Sequence, residues 1–161
     1  MMIRDALPAE FEEVGEIRVA AYRADGFLAP DSSYEPRLRT LGADGLGQVL
    51  VAERPDGRLA GTVMLRGWPS AGQIVQGPGE AEIRALAVRP EARGAGVGRA
   101  LLAAVLDRAV REQVRNLVLA TEPEMKVAHR LYEEAGFTRL PDRDWSPEAG
   151  VLLLACGLQL A

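Results

Sequence analysis

The chain has 161 residues, 48% hydrophobic and 26% charged, which suits one soluble α/β-sized domain spanning 1–161 and excludes a fibrous or low-complexity protein. Nineteen basic and 23 acidic residues give a formal net charge of −4, which argues against general nucleic-acid binding. The single cysteine, Cys156, and single histidine, His129, can form neither an internal disulfide nor a Cys/His zinc site, so no metal is expected.

Met2 to Ala6 reads as a short strand. Pro8 then opens a helical pattern with Phe11, Val14, Ile17 and Ala21 on one side and glutamates elsewhere. Residues 27–47 carry turn formers and read as a variable loop, with a short helix around Glu35 to Leu41. Gln48 to Arg54 and Arg58 to Trp68 are β-rich runs around Pro55-Asp56-Gly57, a hairpin signal. The stretch 69–79 breaks the pattern before a further strand, Glu80 to Val88, which Pro90 ends.

Val97 to Glu112 is the clearest helix: Val97, Leu101, Val105 and Ala109 fall four apart, and Leu102 and Leu106 widen the stripe. Leu117 to Ala120 suits a buried strand. Thr121-Glu122-Pro123-Glu124 matches a capping box for a helix that places Ala128, Leu131, Tyr132 and Ala135 on one face, with Gly136 as its stop. Phe137 to Leu140 and Val151 to Leu160 are the last strands, joined by the polar loop Pro141 to Gly150. The order predicts a mixed, mostly antiparallel sheet flanked by helices, with one parallel crossover between 80 and 121. No apolar run approaches the roughly 20 residues of a membrane span, and the acidic first twenty residues do not resemble a secretory signal. A cytoplasmic location is the expectation.

The chemistry concentrates between the strand at 80–88 and the helix at 97. Arg93-Gly94-Ala95-Gly96-Val97-Gly98-Arg99 is a glycine-rich loop opening a long helix. Unpaired N–H groups at such a helix start bind anionic oxygens, and glycines let the anion approach the backbone. Between residues 83 and 115 stand seven arginines and three acids, so an anionic ligand belongs here. A P-loop needs G-K-[ST], whereas Gly98 is followed by Arg99-Ala100; the dinucleotide pattern G-x-G-x-x-G fails too, because Arg99 and Leu101 stand where its last glycine would be.

The pattern [RQ]-x-x-G-x-[GA], met by Arg93, Gly96 and Gly98, together with Leu131-Tyr132-Glu133-Glu134-Ala135-Gly136-Phe137, resembles the GCN5-related N-acetyltransferase (GNAT) superfamily. The resemblance is sharp over about 80–140. It implies acetyl-CoA as co-substrate, held in a V-shaped gap between the strands at 80–88 and 115–121. Leu86, Ala87 and Val88 would offer backbone groups to the pantetheine arm. Arg93, Gly94, Ala95, Gly96, Val97, Gly98 and Arg99 would cradle the pyrophosphate with their amides. Tyr132 would face the thioester sulfur, and Glu82 would serve as base, directly or through water. The reaction implied is acetyl transfer to a primary amine by direct attack in a ternary complex, the acceptor being a small molecule or a peptide. A non-catalytic acetyl-CoA sensor of the same fold is the alternative, and a homodimer is compatible with the family.

One position departs from the family: Met125 stands where an asparagine commonly holds the cofactor arm. His129 reads as a surface residue and Cys156 as a small buried hydrophobe, and nothing in the sequence places the two together. Trp145 reads equally as a pocket wall, a dimer contact or the anchor of its own loop.

Overall fold

Alternating apolar residues in the β-rich runs and four-residue spacing in the helical ones resolve, in a computed structural model, into seven strands and four α-helices among the described residues. The structure describes residues 1–69, 74–147 and 149–160. In chain order these are β1 (Met2–Asp5), α1 (Phe11–Ala24), α2 (Glu35–Thr40), β2 (Gln48–Glu53), β3 (Leu59–Gly67), β4 (Glu80–Val88), α3 (Val97–Arg111), β5 (Asn116–Thr121), α4 (Lys126–Glu134), β6 (Thr138–Arg139) and β7 (Leu154–Gln159). The seven strands form one sheet in the order β1-β2-β3-β4-β5-β7-β6. The β4–β5 pair is parallel, as the intervening helix requires, while β1–β2, β2–β3, β5–β7 and β6–β7 are antiparallel. The mixed, mostly antiparallel α/β architecture is the one expected from the order of elements.

The chain forms two compact units, and β3, β4 and α3 each contribute to both. The first unit comprises Met1–Leu65 and Ala85–Asp107. Its core is the apolar face of α1: Val14, Ile17 and Ala21 pack with Val49, Val51, Leu59, Met64 and Ala87. The expected hairpin is present, with Arg54 and Arg58 joined by a backbone bond of 2.8 Å and the Asp56 carboxylate accepting from the Arg58 N–H.

The stretch 27–47, expected to be a variable loop, is tied down. Arg18 on α1 is fully buried and donates to the carbonyls of Leu38 and Leu41 at 3.1 and 2.7 Å, so a charged side chain closes the end of α2. Leu28 and Leu38 join Val19 in a second apolar cluster. The two helices touch closely at Gly15, where a Cβ would sit 2.7 Å from the Arg39 carbonyl oxygen. Arginine at an otherwise helical, inward position gives little sequence signal, because its type is mostly exposed.

The second unit comprises Arg66–Arg84 and Arg108–Ala161. Here β5 and β7 pair over six residues, from Asn116↔Gln159 to Thr121↔Leu154. Ile74, Val75 and Val118 form an apolar cluster on which Ala120, Leu140 and Trp145 pack. Trp145 also bridges Leu153 through two backbone bonds of 3.1 and 2.9 Å, which favours the loop-anchor reading. Two arginine–carboxylate forks secure this region: Arg143 on Glu80 at 2.8 and 2.9 Å, and Arg139 on Asp144 at 2.7 Å twice. Of the segment 69–79, residues 70–73 lie outside the described residues, as does 148 in the loop 141–150.

Two boundaries differ from expectation for physical reasons. Thr121 is not a helix cap: it stays in β5, paired with Leu154, and α4 begins only at Lys126. Strand pairing holds its backbone extended, and its hydroxyl donates to Met125 Sδ at 3.5 Å instead of to a helix amide. The last strands are also shorter than their apolar runs. Phe137 closes α4 through a bond to the Tyr132 carbonyl, and Leu153 is taken up by the Trp145 bridge.

Candidate active site

In the first unit, β4 ends at a fixed anchor. The Arg89 N–H donates to the Ala60 carbonyl, its Nε to the Leu59 carbonyl at 2.7 Å, and its fork reaches Glu13 at 2.8 Å. A short 3-10 turn, Pro90–Ala92, then delivers an extended Arg93 to the glycine loop. Gly94 and Gly96 have φ of +84° and +80°, the left-handed region, yet a Cβ on either would meet nothing within 4 Å. Glycine is therefore demanded by backbone conformation and not by crowding.

The first α3 bond into this loop runs from the Ala100 N–H to the Gly96 carbonyl. Among the described residues, none of the N–H groups of Gly94, Ala95, Gly96, Val97 and Gly98 donates to a backbone carbonyl. Gly94, Ala95 and Gly96 are exposed to solvent. The result is a run of free donors at the positive end of a 15-residue helix, which suits an anion with several oxygens. Such a run can hold an anion by backbone alone.

The arginine side chains play less part than their number suggests. Arg93 grips both oxygens of Asp25 at 2.6 and 3.0 Å, and Arg89 is engaged by Glu13. Sequence counting shows the local positive charge but not these internal partners. Leu86, Ala87 and Val88 close β4 just beyond Ala85, which has φ of +53° within the strand. A non-glycine residue in this region costs about 1–3 kcal/mol, so the rest of β4 holds a local kink immediately before the residues expected to meet the cofactor arm.

In the second unit, Glu82 is 6% exposed. The Nε of Arg84 lies 4.0 Å from its Oε2. Glu82 stands opposite Val118 in the third and last registered β4–β5 pair, although both strands run on beyond it. It is a buried carboxylate at the point where the parallel ladder stops, not a solvated edge charge.

Tyr132 is 8% exposed, and its ring lies 5.8 Å from that of Phe137 at a 59° tilt. It lines a cavity of about 310 Å³ in the second unit, together with Thr121, His129, Phe137, Leu154 and Cys156 among others. Side chains alternate along β5, so Thr121 lies on the face opposite Val118 and therefore opposite its registered neighbour Glu82. The structure thus brings Tyr132 to one face of the sheet and leaves Glu82 on the other.

His129 and Cys156, which nothing in the sequence groups together, both border the Tyr132 cavity. His129 is half-buried, with Nε2 3.0 Å from the Glu122 carbonyl. Burial pushes the Cys156 thiol above its ordinary pKa, opposed in part by Arg139. Burial, with Glu124 nearby, also raises Glu122. The histidine was detectable in principle, three residues before Tyr132 and so on the same helix face. The cysteine comes from β7, and only the register with β5 brings it here.

The profile of the acetyltransferase (GNAT) family matches residues 11–137. A mycothiol acetyltransferase of Sanguibacter keddieii is 45% identical over 93 residues, which is 58% of this chain and 29% of that protein. The chain's match thus spans less than a third of that curated relative. Among solved structures, yncA of Salmonella typhimurium, a proposed acetyltransferase in complex with its cofactor acetyl-CoA, is 26% identical with a TM-score of 0.71, covering 100% of this chain and 94% of that one. A GNAT-family acetyltransferase from Staphylococcus aureus has the same fold at a TM-score of 0.77 and 17% identity, covering 99% of both chains.

Proposed function

The chain belongs to the GNAT acetyltransferase family, and on that premise we propose that it transfers an acetyl group from acetyl-CoA to a primary amine by direct attack in a ternary complex. The observation that carries this reading is the run of unengaged N–H groups from Gly94 to Gly98 at the start of α3. Acetyl-CoA supplies the acetyl group already activated as a thioester. The amides of residues 93–99 bind its diphosphate, and Leu86, Ala87 and Val88 present strand backbone to its arm.

An alkyl amine is mostly protonated at neutral pH, so it must lose a proton before attack. Glu82 receives that proton, directly or through a water. A strand N–H near Val88 stabilises the oxyanion of the tetrahedral intermediate. The Tyr132 phenol donates a proton or hydrogen bond to the departing thiolate. The acceptor is a small-molecule or peptide amine. No acceptor is carried over from the mycothiol acetyltransferases, because so little of their length is matched. Among the described residues no helix is long and apolar enough to cross a membrane, and we place the reaction in the cytoplasm.

Calorimetric titration with acetyl-CoA, beside NADH and ATP, tests the reading. Selective acetyl-CoA binding followed by amine-dependent release of CoA thiol is the expected result, with intersecting initial-rate lines for a ternary complex. Binding without release against a broad amine panel would favour the sensor alternative. Absence of binding would remove the whole proposal.

A further inference from the structure

The cavity beside Tyr132 is larger than acetyl transfer needs. At about 30 Å³ per water-sized group, the three heavy atoms of an acetyl group need roughly 90 Å³, whereas the cavity holds about 310 Å³. That lies at the lower end of the roughly 300–1,000 Å³ typical of ligand sites.

Three of its polar lining residues have polar atoms engaged elsewhere. Arg139 directs its guanidinium to both Asp144 oxygens and to the Ala155 carbonyl. Thr121 gives its hydroxyl to Met125 Sδ, and His129 Nε2 meets the Glu122 carbonyl. Leu154, Phe137, the Tyr132 ring and the Cys156 thiol, whose pKa burial raises, supply the rest of the inner wall, and the exposed Glu133 and Thr138 also line the cavity. A surface of this kind rewards hydrocarbon and offers little to a polar ligand.

We propose that this cavity is an acyl pocket, and that the protein accepts acyl-CoA thioesters with straight or branched chains of about four to six carbons besides acetyl-CoA. The inference rests on the role given to Tyr132 above. If its phenol meets the leaving sulfur, the acyl carbon bonded to that sulfur lies beside the same ring, and a longer chain has this cavity as its nearest apolar space.

Cys156 is the chain's single cysteine, so thiol alkylation reports on the cavity without mutation. At mildly alkaline pH, hexanoyl-CoA at saturation should slow alkylation of the wild-type protein by iodoacetamide at least ~5-fold, and acetyl-CoA or free CoA by less than ~2-fold. Turnover supplies the second arm. Butyryl-CoA should be used at a rate within about tenfold of acetyl-CoA, and Cys156→Phe should lower the butyryl-to-acetyl ratio of kcat/KM about tenfold.

Equal protection by CoA, acetyl-CoA and hexanoyl-CoA would overturn the proposal, since it would put the coenzyme arm in the cavity. No protection by hexanoyl-CoA while acetyl-CoA binds and turns over would overturn it alone and leave the acetyltransferase reading standing. Failure of acetyl-CoA itself to bind would overturn both.

Discussion

The glycine loop and the Tyr132 cavity are opposite kinds of site. The loop works through backbone: its exposed centre, Gly94 to Gly96, has almost no side chains, and its donors are amides that any sequence possesses. The cavity works through side chains brought from α4, β5, β6 and β7, each dependent on packing and register. A backbone site is limited by conformation, so it tolerates changes of side-chain chemistry and fails when φ is denied. A side-chain site fails on the loss of one atom while the fold stands. The two regions should therefore respond differently to the same scale of substitution.

Removing one oxygen tests the side-chain region most severely. Tyr132→Phe should lower kcat roughly 100-fold, within the range for a lost general acid, while the acetyl-CoA Kd changes less than about twofold. Steady-state kinetics beside calorimetry reads both numbers, and a wild-type kcat would end the assignment of Tyr132 as acid.

The loop is broken by the opposite move, an added branched side chain at a left-handed position. Gly96→Val should weaken acetyl-CoA binding about 30-fold, corresponding to about 2 kcal/mol of conformational cost. Its thermal unfolding should stay close to that of the wild type, because residue 96 is exposed and its Cβ meets open space, so the unliganded loop relaxes to a permitted φ and the conformational cost falls on binding. Unchanged affinity would show that these amides do not bind the diphosphate.

Glu82→Gln should reduce turnover about tenfold at neutral pH and move the turnover profile to higher pH, where the amine deprotonates unaided. A profile that does not move would assign the base to another group. The smallest effect belongs to Arg93→Gln, which leaves the cradle's amides in place and removes a guanidinium already engaged by Asp25. Its acetyl-CoA Kd should rise less than about threefold; a larger loss would give the side chain the role assigned here to the backbone.

What could be read in the sequence follows the same division. Gly94 and Gly96 were legible because an unusual backbone demands an unusual residue, and the stripe Val97, Leu101, Val105 and Ala109 is buried as its spacing predicts. Thr121 was misread because a T-x-x-E pattern records local preference, whereas six registered β5–β7 pairs outweigh it. The burial of Glu82 depends on neighbouring strands that a single strand's sequence does not name. Cys156 and His129 lie 27 positions apart, and their shared cavity is a product of register. The binding loop was legible in one segment; the side-chain cavity required the fold.

The sealed cation of Arg18 has a consequence for motion. An arginine cannot shed its charge, and a partial separation of α2 from α1 would strip the guanidinium of the Leu38 and Leu41 carbonyls before water could replace them. The segment therefore has no gently frayed intermediate. It opens rarely and as a whole, so that in hydrogen-exchange experiments the amides of residues 37–41 should exchange together at one rate, without a gradient along the helix.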